Sequence, residues 1–294
     1  MDLDGILLID KDKGVTSFEA VRKVKSLLNA KKAGHTGTLD KAASGLLIVC
    51  INRATAIQEL LMNKFKRYRA TVLFGTETDT LDRYGKIIKK ETVHGFSDRE
   101  INKVLMSFLG KTKQVPPYFS AIHKDGKRLY KRALSGEKIS IDPREIEIKE
   151  LNLLKNEKQS ITFEVLASKG TYIRSLGLDI AHSLGTFGHL TCLRRLTIGY
   201  FSVANAVKIA EIREDTDVIP MNEALADIPH IRVDSEKAYK VYNGVLPTKI
   251  FTEKVWQSLD TGYYRVVFED KLIALIEKRE KLSYFKVFRE ILCT

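Results

Sequence analysis

Apolar residues along this chain fall into two patterns. Residues 5–9 (GILLI) predict a first strand, and residues 45–51 (GLLIVCI) are apolar on both faces, as a central strand is. Between them the spacing changes to a helical one. Thr16-Ser17-Phe18-Glu19 has the S/T-x-x-E spacing of a capping box, in which a hydroxyl and a carboxylate satisfy free helix N–H groups. Phe18, Val21, Val24 and Leu28 follow, which predicts a helix over 16–28 with one buried stripe. Residues 69–74 (RATVLF) predict a strand that ends in the polar turn GTETDTLDRYG. Ser97-Asp98-Arg99-Glu100 repeats the capping box, and Ile101, Val104, Leu105 and Phe108 carry that helix to Gly110. Further strands are predicted at 144–154 and 160–167, then a helix over 172–184 closed by Gly185.

Strands and helices interleave without strict βαβ alternation. The expected fold is therefore α+β, a mixed and largely antiparallel sheet flanked by helices. Near residue 230 the texture shifts to short alternating runs, YYRVVF (263–268), KLIALIE (271–277) and YFKVF (284–288), with a hairpin turn at 268–272. This predicts two domains, 1–229 and a small, mostly β unit over 230–294.

Composition narrows the function. The 294 residues carry 49 Lys+Arg against 37 Asp+Glu, a formal charge of +12, which suits a polyanionic partner such as nucleic acid or simply a soluble basic surface. No apolar run nears the ~20 residues of a membrane span. Three scattered cysteines, Cys50, Cys192 and Cys293, argue against a disulfide framework and fit a reducing cytoplasm. Neither they nor the six histidines are spaced as metal ligands, so no metal is expected.

Four segments could carry chemistry. In AGHTGTLDKAASGLLIVC, Gly34 and Gly37 let the backbone approach a ligand, and Asp40 stands between that loop and an apolar run. On these residues alone Asp40 fits a turn or capping residue as well as a catalytic one. In Lys64-Phe65-Lys66-Arg67-Tyr68-Arg69, cations alternate with aromatics; Lys66 and Arg67 could neutralise phosphates while Tyr68 stacks on a base, or the segment could be a solvated strand entry. A similar mixture at 124–132 offers Lys127 and Arg128 for the same purpose. In SKGTYIRSL, Tyr172 and Arg174 open a helix whose positive end suits an anion. Cys192-Leu193-Arg194-Arg195-Leu196 is a short basic stretch between apolar residues.

Taken in order, GILLIDKDKGVTSFEAV, KKAGHTGTLDKAASGLLIV, KRYRATVLFGTETDTLDRYG, QVPPYFSAIHKDGKRLYKRA, SKGTYIRSLGLDI and HLTCLRRLTIG closely resemble the TruB family of tRNA pseudouridine synthases. The resemblance runs over residues 5–199, and the tail from 230 is similar to the small RNA-binding PUA domain that ends many members. It implies the pseudouridine synthase catalytic fold and conversion of one uridine in the T-loop of tRNA, position 55, to pseudouridine. It also implies roles for residues. Asp40 falls on the catalytic aspartate, and His35 on the histidine that helps extrude the target nucleotide. Tyr68 falls on the tyrosine that packs on the flipped uracil. Tyr172 lines the uracil site, Arg174 pairs with the aspartate, and Leu193 falls on the pocket leucine.

These residue types suit the chemistry. The target base must leave its stack, at a cost of a few kcal/mol. A carboxylate then acts as nucleophile or base, and a neighbouring arginine opposes the desolvation that would neutralise it. The rearrangement is redox-neutral, so no cofactor is expected, and no obligate protein partner is implied. The chain departs from the family at Lys41, where a proline is usual, at Phe119, where tyrosine is common, and at His123, where lysine is common. The alternatives are a related synthase acting on another RNA and a tRNA-folding chaperone whose main contribution is binding.

Overall fold

The computed structural model describes residues 3–118, 123–124, 127–128, 141–279 and 284–288. Its main sheet runs in the order Ile219–Pro220, Gly5–Lys11, Ser44–Ile51, Gly188–Ile198, Lys66–Phe74, Ser160–Ala167, Arg144–Glu157, Gly110–Gln114. Ala33–His35 pairs beside Ser44–Ile51, and Phe201–Ser202 beside Gly188–Ile198. Every pairing is antiparallel except the one at the centre, where Ser44–Ile51 and Gly188–Ile198 run parallel through Arg194↔Ser44 and Arg195↔Gly45. The sheet is thus mixed and largely antiparallel, as the pattern predicts.

That parallel step is unusually close. Gly45 has φ +107°, and a Cβ there would collide with the backbone carbonyl of Arg195, so glycine is required by both conformation and space. The step joins two halves. On one side helices Asp98–Ser107 and Ile173–Ser183 cover the strands through Ile101, Leu105, Leu176 and Ile180. On the other, helix Ser17–Leu27 covers Leu7, Ile9, Leu47 and Val49 through Ala20 and Val24.

Both capping boxes form. Thr16 accepts from the Glu19 amide, and the Glu19 carboxylate accepts from the Thr16 N–H at 2.8 Å; Ser97 and Glu100 repeat the exchange. The predicted stripe of the first helix is corrected at one position. Phe18 is 72% exposed, and Ser17, Ala20, Val24 and Leu28 face the core instead. Ser17 turns inward because its hydroxyl binds the Leu39 backbone, which rotates Phe18 outward.

The C-terminal region forms a second sheet, His230–Arg232, Gly262–Phe268, Lys271–Lys278, Tyr284–Val287. The hairpin turn falls where predicted, with Glu269 and Asp270 both at positive φ as a primed turn demands. The expected mostly β character is incomplete: helices Ser235–Tyr242, Pro247–Ile250 and Glu253–Ser258 intervene. They are too short to show a clear helical period in sequence, and the first depends on Asp234 accepting from the Lys237 amide at 2.8 Å. Among the described residues no helix is long and apolar enough to cross a membrane.

Candidate active site

The loop after Ala33–His35 carries Asp40 out of the sheet and back into Ser44–Ile51. It is held on every side. Ser17 Oγ accepts from the Leu39 amide at 2.8 Å and donates to the Leu39 carbonyl at 3.0 Å. Lys11, fully buried, donates to the carbonyls of Asp12, Val15 and Ala43. Burial and the charge of Arg195 pull the Lys11 ammonium down to about 8, while Asp40 opposes the shift. The Gly14 N–H reaches the Lys41 carbonyl at 2.8 Å. Lys41, where the family usually has proline, therefore contributes its backbone to the clamp and leaves its side chain exposed.

Asp40 lies against Arg174. Arg174 Nε stands 3.0 Å from Asp40 Oδ2 and Nη2 3.5 Å from Oδ1. The guanidinium is further fixed by the Thr80 carbonyl at 2.9 Å and by Asp82 Oδ2 at 3.9 Å. The arginine side chain is only 7% exposed while the aspartate is 39% exposed. A buried cation thus orients a carboxylate whose other face is open. Arg174 owes its place to the helix Ile173–Ser183, whose start is pinned by Gln114. Its side chain accepts the Tyr172 N–H at 2.7 Å and donates to the Tyr172 carbonyl at 3.1 Å.

Around this pair is a cavity of about 540 Å³, lined by Gly37 to Asp40, Met62, Lys66, Tyr68, Arg144, Glu145, Lys169 to Arg174, Leu193 and Arg195. Asp40, Tyr68, Tyr172, Arg174 and Leu193, named from sequence, all line it. His35 does not. Its ring Nδ1 accepts the Gly37 N–H at 3.2 Å, so it supports the rim, and burial beside Arg195 holds it below the usual imidazole range.

The KRYR segment is not a solvated strand entry. It is the start of Lys66–Phe74, and strand alternation sorts its side chains. Lys66 and Tyr68 are buried and face the cavity. Arg67 and Arg69 point the other way and pair with Glu150 and Glu164 at 2.6 and 2.7 Å. Arg67, expected from sequence to meet phosphate, pairs with Glu150 in this structure, and Lys66 lines the cavity. Lys127 and Arg128 form a two-residue strand paired with His123–Lys124, and their side chains lie outside the described residues, as does Phe119.

Sequence reasoning missed Lys66 as a cavity residue, Gln114 as the clamp on Tyr172, and Arg195. The last is 1% exposed, with Nε bonded to the Leu46 carbonyl at 2.7 Å and Nη2 to Gly37 at 3.1 Å. The period-2 pattern Leu193-x-Arg195 was the available signal. Among the described residues no cluster of His, Cys, Asp and Glu could hold a metal ion.

A sequence model described as the TruB family pseudouridylate synthase N-terminal domain matches residues 25–173. The tRNA pseudouridine synthase B of Clostridium tetani is 36% identical over 95% of this chain and 97% of its own. The Aquifex aeolicus protein of that name is 42% identical over 82% of this chain and 86% of its own. The chain belongs to the TruB family.

Membership makes it a pseudouridine synthase, an isomerase. The fold agrees with solved structures. The Cbf5 chain of an archaeal box H/ACA sRNP Nop10-Cbf5 complex superposes with a TM-score of 0.69 at 23% identity, covering 98% of this chain and 86% of that one. A Cbf5-Nop10-Gar1 complex gives 0.67 at 24% identity, over 97% and 84%. In this TruB chain Asp40, Tyr68, Tyr172, Arg174 and Leu193 meet at one cavity, with His35 outside its lining.

Proposed function

We propose that this enzyme isomerises the T-loop uridine of tRNA, position 55, to pseudouridine, with Asp40 as the catalytic group. The observation that carries the reading is the open carboxylate of Asp40 held by buried Arg174 at the mouth of a cavity. The substrate class is supported by relatives named tRNA pseudouridine synthase B that align over nearly the whole chain.

The isomerisation breaks the bond from ribose C1′ to uracil N1, turns the ring, and joins C1′ to C5. C5 then loses its proton and N1 gains one, so the overall composition is unchanged. Asp40 serves as nucleophile or base, held in place by the adjacent guanidinium. Tyr68 offers a face to the flipped uracil, Leu193 and Tyr172 close the remaining walls, and His35 supports the rim from which the base is extruded. Because Ser17, Lys11 and Gln114 hold these parts, little reorganisation is needed when the base arrives. The reaction is redox-neutral and the reading asks for no cofactor. Residues 230–294 are read as a PUA-like RNA-binding domain beside a catalytic domain of residues 1–229, and tRNA as the partner of both.

Incubating an unmodified tRNA transcript with the protein and mapping pseudouridine by nucleotide tests the reading. One pseudouridine in the T-loop is expected, and none when that uridine is replaced by cytidine. Modification elsewhere points to another RNA, and binding with refolding but no product points to a chaperone; either overturns the proposal.

A further inference from the structure

The wall of the cavity formed by Gly37, Lys66, Lys169 and Arg195 has no part in the chemistry described above. Lys66 is 5% exposed, with Nζ resting on the carbonyls of Met62 and Lys64 at 2.7 Å each. Arg195 is held by two more carbonyls, Leu46 and Gly37. Exposed Lys169 is placed by Asn63 Oδ1 at 2.6 Å, a neutral partner. Among the described residues none of the three has a carboxylate partner. Three cations are therefore held against one another in a partly desolvated wall, where mutual repulsion is strong and an anion is what would relieve it.

The wall is also shaped for an anion. Gly37 has φ +138°, and a Cβ there would stand 3.7 Å from Lys66 Cε and 3.8 Å from Arg195 Nη1. Its missing side chain leaves the approach to both cations clear. Beside it, Thr36 Oγ1 is a buried hydroxyl without a hydrogen-bond partner among the described residues. The cavity's volume of about 540 Å³ also exceeds what a uracil ring alone fills, so more than the base can enter.

We propose that Lys66, Lys169 and Arg195 seat a backbone phosphate that flanks the flipped uridine, beside Gly37. The seat fixes the ribose between two anchors, the phosphate at one end and the base against Tyr68 at the other, so that C1′ is presented to Asp40. The proposal rests on the reading of the chain as an RNA uridine isomerase. It assigns these three residues to positioning rather than to chemistry. The physical state of Lys66 agrees with it. Burial and the charges of Arg195 and Lys169 pull its ammonium down to about 7, and a bound phosphate would restore the proton. Lys11 and His35 nearby are likewise held down, by burial first and then by Arg195, and the same cavity is also lined by Asp40, Arg144, Glu145 and Arg174.

The test uses the full chain and a T-stem-loop RNA hairpin carrying either ordinary linkages or one neutral methylphosphonate, placed 5′ or 3′ of the target uridine. Wild-type turnover of the ordinary hairpin establishes the function independently. At one of the two positions the methylphosphonate is expected to weaken wild-type binding about tenfold or more. Lys169→Ala, a change at an exposed site, is expected to weaken binding of the ordinary hairpin and reduce its salt slope by about 1. Applied together, the two changes cost little more than either alone, because both remove the same contact. Lys66→Met should behave in the same way, with melting curves confirming the fold of both variants. If the effects multiply at both linkage positions while turnover persists, the seat is wrong and the function stands. If the ordinary hairpin is not turned over at all, both fall.

Discussion

At position 66 the strand period puts a lysine where a hydrophobic residue would be the ordinary choice. Its cost is visible in the depressed ammonium, about 7 against a reference of 10.5. A lysine with a lowered folded pKa destabilises the fold fully below about 7, and that penalty disappears as pH rises toward the unfolded value. Lys66→Met should therefore raise the Tm at pH 6, and the gain should shrink toward pH 10, as thermal melts across that range will show. A gain independent of pH would contradict the burial argument. Asp40, Tyr68 and Arg174 were legible in sequence because each sits in a distinctive string, and the structure brings all three into one cavity. The orientation of Lys66 against Arg67 was not. Alternation shows that the two point apart, but not which face has a carboxylate waiting, and Glu150 lies 83 positions along the chain.

Among the elements, the strands and helices with a clear period were readable to within a few residues, and both capping boxes formed. The element the pattern concealed is the central one. Gly188–Ile198 reads as a basic stretch because Arg194 and Arg195 interrupt its apolar run, yet both arginines are satisfied from distant parts of the chain. Arg194 pairs with Asp10 at 2.9 and 3.0 Å, and Arg195 binds Leu46 and Gly37. Two register shifts on this strand, at Leu190/Cys192 and Arg195/Thr197, add local bends that no period reveals. Where this strand meets Ser44–Ile51, Gly45 is the point of contact. Gly45→Ala should cost at least about 2 kcal/mol in urea unfolding, since it combines left-handed strain with a backbone collision that cannot be relieved by a side-chain rotation. A change below about 0.5 kcal/mol would show that the parallel step is looser than described.

For the whole molecule, the alternating runs after residue 230 pointed to a second unit, but the packing that joins it to the main sheet is not displayed in sequence. Leu272 and Leu275 of the C-terminal sheet, and Phe288 just after its last strand, share a core with Ile6, Leu8 and Leu46 of the main sheet. Arg265 seals the joint, with Nε on the Ile228 carbonyl at 2.8 Å and Nη1 on the Asn222 carbonyl and side-chain oxygen at 2.7 Å each. Its removal takes the partner from part-buried carbonyls, a cost of at most about 1–3 kcal/mol for each such group. Arg265→Ala should lower the Tm, and calorimetry should still show one transition because the core is shared. Two separated transitions in the wild-type protein would contradict the joint. The main sheet delivers one carboxylate, backed by one arginine, into a cavity with a basic wall. The most direct measurement of that claim is single-turnover pseudouridine formation on an unmodified tRNA transcript by wild type and by Asp40→Asn, with tRNA affinity measured in parallel. Wild type is expected to form product, Asp40→Asn to lose at least about a thousandfold in rate, and both to bind tRNA with similar affinity. Turnover by Asp40→Asn within about tenfold of wild type would contradict that claim.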